Sequence, residues 1–115
     1  MKMYYVSHPF TGTEKENRLD AQFTTALLQM QEEYKHIYFF NPLDALRAQG
    51  AAELSYDEVM ECALEMIRRA DAVVMAGHWT KSKGCSKEFM MAQNLNLPIF
   101  QAMNGKLIPL KPAYK

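Results

Sequence analysis

Long apolar runs are missing from this 115-residue chain, and none approaches the roughly 18 residues that a membrane-spanning helix needs. No charged-then-apolar leader precedes the first apolar segment, so the expected compartment is the cytoplasm, with no membrane partner. Cysteine is scarce: Cys62 and Cys85 alone cannot build a disulfide framework. Cys62 falls inside a helical pattern and is expected to pack as a small apolar side chain. Excess charge is missing too. Thirteen basic residues balance thirteen acidic ones, which argues against broad binding to a nucleic acid polymer. His8, His36, His78 and the two cysteines show neither CxxC nor HxxxH spacing, so no metal site is expected. Gly12, Gly77 and Gly84 form no GxGxxG or Walker pattern, and no cofactor is implied.

What remains is a chain long enough for one domain with a single core. Its nine methionines suggest that this core is adaptable. Met3 to Val6 reads as a strand, ended by Ser7-His8-Pro9 and a turn at Thr11 to Thr13. Leu19, Phe23, Ala26, Leu27 and Met30 then recur at helical spacing within residues 15–33. His36 to Phe40 is a second strand, stopped by Asn41-Pro42. Residues 43–54 read as a short helix or ordered loop.

Ser55 with Glu58 forms a capping-box pattern, and Tyr56, Val59, Met60, Ala63, Leu64 and Ile67 carry an apolar stripe behind it. Ala72 to Ala76 lacks polar alternation, as expected of a strand covered on both faces. A helix from about Gly84 to Leu95 leads to a strand at Pro98 to Gln101, and Lys106 to Leu110 reads as a fifth, held at an edge by Pro109. The alternation predicts an α/β, three-layer, flavodoxin-like or Rossmann-like domain, with a parallel sheet of four to five strands and helices on both faces.

In such sheets ligands bind beyond the carboxyl ends of the strands. Those ends here are Ser7 to Gly12, Asn41-Pro42, Gly77 to Lys87 and Gln101 to Asn104, all polar or glycine-containing. The third of them opens a helix on which Cys85, Glu88, Phe89 and Ala92 share one face, so Glu88 is expected to point at the sheet. A carboxylate there reads either as a solvated, dipole-favoured side chain or as a nucleophile or general base. Lys81, Lys83 and Lys87 are a solvated loop or phosphate contacts, with N–H groups at Gly84 and Cys85 as further donors. Ser82 either caps the helix or bonds a ligand. Trp79, the only tryptophan, is expected to be a lid or stacking surface. Asp71, just before a buried strand, reads as structural.

The Tyr5 to Gly12 segment, Glu16-Asn17, Asn41-Pro42, Ala70 to Met75, and Gly77 to Gly84 followed by Glu88 and Ala92 resemble the nucleoside 2-deoxyribosyltransferase superfamily. The similarity is greatest to a branch of small, largely uncharacterised bacterial and phage proteins. It covers nearly the whole chain in order, so residues 1–115 are expected to form one such domain.

The resemblance implies cleavage of an N-glycosidic bond in a nucleoside or nucleotide, by transfer or hydrolysis. Glu88 would attack the anomeric carbon, with Tyr5 orienting its carboxylate. Ser82 and the turn carrying Ser7, His8, Pro9 and Gly12 would hold sugar or phosphate. Asn17, Asn41, Trp79 and Gly84 complete the expected substrate-binding set. A homodimer or higher homo-oligomer is also implied.

The chain departs from the family pattern at Ala63, where a helper Asp often assists the departing base, and at His8, where a glycine is usual. Ser86 and Met90 replace the glycines flanking the family Glu. Glu61 and Glu65 point roughly 160–200° away from Ala63 and do not stand in for the Asp. These departures motivate an alternative, a non-catalytic nucleotide-binding or nucleotide-sequestering module.

Overall fold

A computed structural model describes residues 1–48 and 55–110. Along the chain run β1 (Lys2–Ser7), α1 (Glu14–Gln29), β2 (Ile37–Phe40), α2 (Pro42–Ala48) and α3 (Tyr56–Arg68). They are followed by β3 (Ala72–Met75), α4 (Lys83–Asn94), β4 (Ile99–Met103) and β5 (Lys106–Pro109). Short 3₁₀ turns at Glu32–Tyr34 and Trp79–Lys81 precede β2 and α4. The expected element at residues 43–54 is α2 as far as Ala48, and the rest of it lies outside the described residues.

The strands form one sheet in the order β2-β1-β3-β4-β5. All neighbours are parallel except β4 and β5, which are antiparallel. This is the expected α/β arrangement, corrected at its last strand. Met103 pairs with Lys106, so only Asn104 and Gly105 connect β4 to β5. Both have positive φ (49° and 80°), as a tight hairpin turn demands, and two residues cannot make a parallel crossover. Pro109 does lie on the edge strand.

The core is split by the sheet. Tyr5, Val73, Met75 and Ile99 pack against Ala63 and Ile67 of α3 and Cys85 and Ala92 of α4. On the other face Val6, Val74 and Phe39 meet Leu28 of α1. Every residue of β3 is buried, which explains its unbroken apolar run. At the start of α3 both halves of the capping box form: the Glu58 N–H donates to Ser55 Oγ, and the Ser55 N–H donates to Glu58 Oε1. Asp71 is structural, since the Met3 N–H donates to its Oδ2 at 2.8 Å and its own N–H donates to the Met3 carbonyl.

Three packing expectations are overturned. The α1 stripe of Leu19, Phe23, Ala26 and Met30 faces outward, with Phe23 66% exposed. The helix instead buries Ala21 and Leu28, seven positions apart on its other stripe. Cys62 is exposed because it falls on the outer side of α3, one position from the buried Ala63. Of the methionines, Met60 and Met75 are buried, while Met1, Met30, Met90 and Met103 are exposed, so the core is built mainly of branched, aromatic and small residues.

Candidate functional site

β1 alternates, and Tyr5 and Ser7 point to the face covered by α3 and α4. α4 starts where Ser82 Oγ accepts the Cys85 N–H at 3.1 Å, so Ser82 is its N-cap. One turn on, Glu88 projects inward with Cys85 and Ala92, and is only 7% exposed. The Tyr5 hydroxyl donates to Glu88 Oε2 at 2.6 Å and the Ser7 hydroxyl to Oε1 at 2.6 Å. Each hydroxyl takes a different carboxylate oxygen, so the Glu88 side chain is held at both. Tyr5, Ser7 and Glu88 thus form one connected buried cluster.

Burial pushes the Glu88 carboxyl above its ordinary range, and the two hydroxyl bonds pull it part of the way back. The Tyr5 phenol is driven well above its usual value, first by burial and then by the neighbouring negative charge of Glu88. It therefore stays a donor. Burial also raises the Cys85 thiol, which removes the thiolate that a cysteine nucleophile would need.

Glu88 opens into a cleft of about 80 Å³, shared with Tyr5, His8, Phe10, Ser82 and Gly84. The α3 wall of this cleft is Tyr56, Val59, Met60 and Ala63, without a carboxylate. Glu65 instead bonds Arg68 and Arg69 on the outer surface. Beside the cleft lies a wider hollow of about 650 Å³, lined by Pro9, Asn17, His78, Lys81 and Lys83 among others. The two share Thr11, Tyr56, Ser82 and Gly84. The cleft alone has room for only a few waters, whereas the hollow falls in the size range of small-molecule sites. Among the described residues no three His, Cys, Asp or Glu side chains are grouped to hold a metal ion.

Other expected site residues sit differently. Asn17 borders the hollow, and its side-chain amide donates to the Phe10 carbonyl at 3.0 Å, so it also braces the loop after β1. Gly12 adopts φ +108° at the turn but borders neither space. Asn41 does not line the Glu88 cleft, although Pro42 and Leu43 after it do: it accepts the Leu43 N–H at the start of α2 and lines a separate hollow at the β2 edge. Trp79 also stands apart. It stacks on Phe89 at 5.2 Å between ring centroids and packs against the core rather than bordering the cleft.

One partner escaped the sequence reading. His8 is buried, and its Nε2 lies 2.6 Å from Asp20 Oδ2 on α1. Twelve residues and a loop separate the two, so no helical or strand spacing links them. The apolar wall of α3 was legible as a stripe, but its facing a cleft was not.

Residues 1–101 match the family model described as "Domain of unknown function (DUF4406)", and the chain belongs to that family. No curated protein matches it by sequence. Among solved structures it is similar to a 2-desoxiribosyltransferase from Leishmania mexicana, with a TM-score of 0.60 and 17% identity. The superposition covers 88% of this chain and 63% of that one, so this chain spans under two thirds of its neighbour's length. At that identity the two share a fold.

Proposed function

We propose that this DUF4406 protein cleaves the N-glycosidic bond of a 2-deoxyribonucleoside or its 5′-monophosphate, with Glu88 as nucleophile. The observation that carries the reading is the buried Glu88 carboxylate, held by short bonds from Tyr5 and Ser7 at the base of a cleft. Two donors fix its orientation, and burial strips it of water. The carboxylate oxygen would bond to the anomeric carbon as the carbon–nitrogen bond breaks and the base departs with the electron pair. Water or a second base would then displace Glu88, giving hydrolysis or transfer. The fold shared with a 2-desoxiribosyltransferase supports the same reading.

In this reading the anomeric end of the sugar meets Glu88 at the cleft, and most of the ligand occupies the wider adjoining hollow. That hollow is bordered by Lys81, Lys83 and His78, which favours a phosphorylated substrate over a bare nucleoside. Such substrates belong to the cytoplasmic pool. The outward stripe of Leu19, Phe23 and Met30 offers a contact for a homo-oligomer, which light scattering in solution would reveal.

The test is a panel of deoxynucleosides and their monophosphates, with and without acceptor base, followed by chromatography for released base. Release that depends on Glu88 supports the reading; release unchanged in Glu88→Ala rejects it. The apolar wall at Ala63 favours a second reading, a module that binds a nucleotide without cleaving it, because no acid on α3 assists the leaving base. Calorimetric binding with the ligand recovered intact would select that alternative.

A further inference from the structure

Breaking the glycosidic bond of a neutral nucleoside leaves an electron pair on the departing heterocycle, and a general acid ordinarily supplies the proton that quenches it. Among the described residues the Glu88 cleft presents no such acid. Its α3 wall is Tyr56, Val59, Met60 and Ala63, and the acids of that helix are turned elsewhere. Glu58 bonds Ser55, Glu65 bonds Arg68 and Arg69, and Asp57 and Glu61 are exposed. The Tyr5 and Ser7 hydroxyls are committed to Glu88, and both His8 ring nitrogens to Pro9 and Asp20. Burial raises the Cys85 thiol, so it holds its proton. The hydroxyls of Thr11, Tyr56 and Ser82 remain, groups that hydrogen-bond a leaving atom without protonating it.

The charges of the site are also separated. The cleft holds the buried Glu88 carboxylate, whereas Lys81 and Lys83 border the adjoining hollow. Lys87 lies over the Tyr56 ring, its Nζ 5.1 Å from the centroid, and borders neither space. A complementary ligand is therefore positive at its anomeric end and negative at its far end. A cation beside Glu88 also opposes the burial that raises its carboxyl, and so favours the ionised nucleophile.

We propose that this site takes a 5′-phosphorylated N-glycoside whose heterocycle carries a fixed positive charge, such as a pyridinium. The inference rests on the cleavage reading above and names its leaving group. As the Glu88 oxygen bonds to the anomeric carbon, the carbon–nitrogen electron pair passes to the ring nitrogen and cancels its charge. The heterocycle leaves neutral and takes no proton. Water then displaces Glu88, which yields the free sugar phosphate, restores the carboxylate and gives one proton to solvent.

Two probes separate the charge from the rest of the ligand. 1-(2-Deoxyribosyl)pyridinium 5′-monophosphate and deoxyuridine 5′-monophosphate share a sugar, a phosphate and a six-membered ring. Chromatography reads the released heterocycle, corrected for release without enzyme. We expect pyridine release that is lost in Glu88→Ala, with kcat/KM about a hundredfold or more above that for uracil, the factor a missing general acid withholds. Uracil released at a comparable rate, and lost in Glu88→Ala, overturns the cationic ligand while leaving Glu88 as nucleophile.

The second arm needs no turnover. In carbocyclic analogues of the two probes a methylene replaces the ring oxygen, so the glycosidic bond stays intact. By calorimetry the wild type should bind the cationic analogue about tenfold more tightly, and Glu88→Gln should abolish the difference. Equal affinities, or a preference that survives Glu88→Gln, overturn the proposal whatever the release assay shows. A preference that depends on Glu88, with neither heterocycle released, supports the cationic ligand and rejects cleavage alone.

Discussion

The Tyr5 hydroxyl meets Glu88 Oε2 at 2.6 Å across 83 residues of sequence, joining the central part of the sheet to the helix that borders it. This bond favours the ionised carboxylate, while burial opposes it. Tyr5→Phe removes the donor and leaves the burial. The acid limb of a base-release profile should therefore move to higher pH, with turnover falling roughly ten- to a hundredfold. An acid limb that stays in place, measured on the same substrate, would show that the phenol does not tune the carboxylate.

Glu88 should also cost stability. Its folded carboxyl titrates above its unfolded value, so between those two values the folded state binds more protons than the unfolded state. Stability therefore drops as pH rises from the ordinary carboxylate range through the raised value, and the loss persists above it. Glu88→Gln escapes this penalty and keeps an amide that can bond Tyr5 and Ser7. At about pH 8 the variant should be more stable than wild type by about 1 kcal/mol while releasing no base. By about pH 4 the advantage should shrink. Thermal melts at both pH values decide the matter, and a variant less stable at pH 8 would contradict the burial argument.

Much of this arrangement was legible in the sequence, for physical reasons. β3 shows no polar alternation because both of its faces are covered, and Ser55 with Glu58 announced a capping box whose two bonds both form. Cys85, Glu88 and Ala92 lie three to seven positions apart, so their shared face followed from helical periodicity alone. α1 was harder. Its larger apolar residues keep helical spacing, yet a parallel phase through Ala21 and Leu28 makes the contact with the sheet. Periodicity fixes an element and leaves open which of two stripes is buried. The His8–Asp20 pair was invisible for a different reason, since it joins a loop to the helix after it through a geometry no repeat encodes.

Ser82 caps α4 just ahead of Glu88, so a helix-start bond and a site share one residue. Ser82→Ala should cost about 1 kcal/mol through the unpaired Cys85 N–H. Fraying of the first turn should also loosen Cys85. The expected result is a lower melting temperature together with weaker binding of a deoxynucleoside monophosphate. Ser82→Asp restores an N-cap acceptor, so it should recover the melting temperature, but its charge beside the hollow should oppose a phosphate. If both variants melt like wild type, the cap contributes nothing.

Gly77 carries two separate demands. Its φ of +63° disfavours any side chain, and a Cβ there would press on the His8 ring at 2.8 Å from Nε2. Gly77→Ala should therefore cost about 1 kcal/mol for the backbone, plus a further cost of similar size for displacing the ring. The two parts separate in a double-mutant cycle with His8→Ala, which empties the space above position 77. In that background Gly77→Ala should retain only the backbone part. The coupling energy between positions 8 and 77 then reports the ring contact alone. A coupling near zero in chemical denaturation would mean that the ring yields freely, and that close packing on Gly77 does not hold His8 in place.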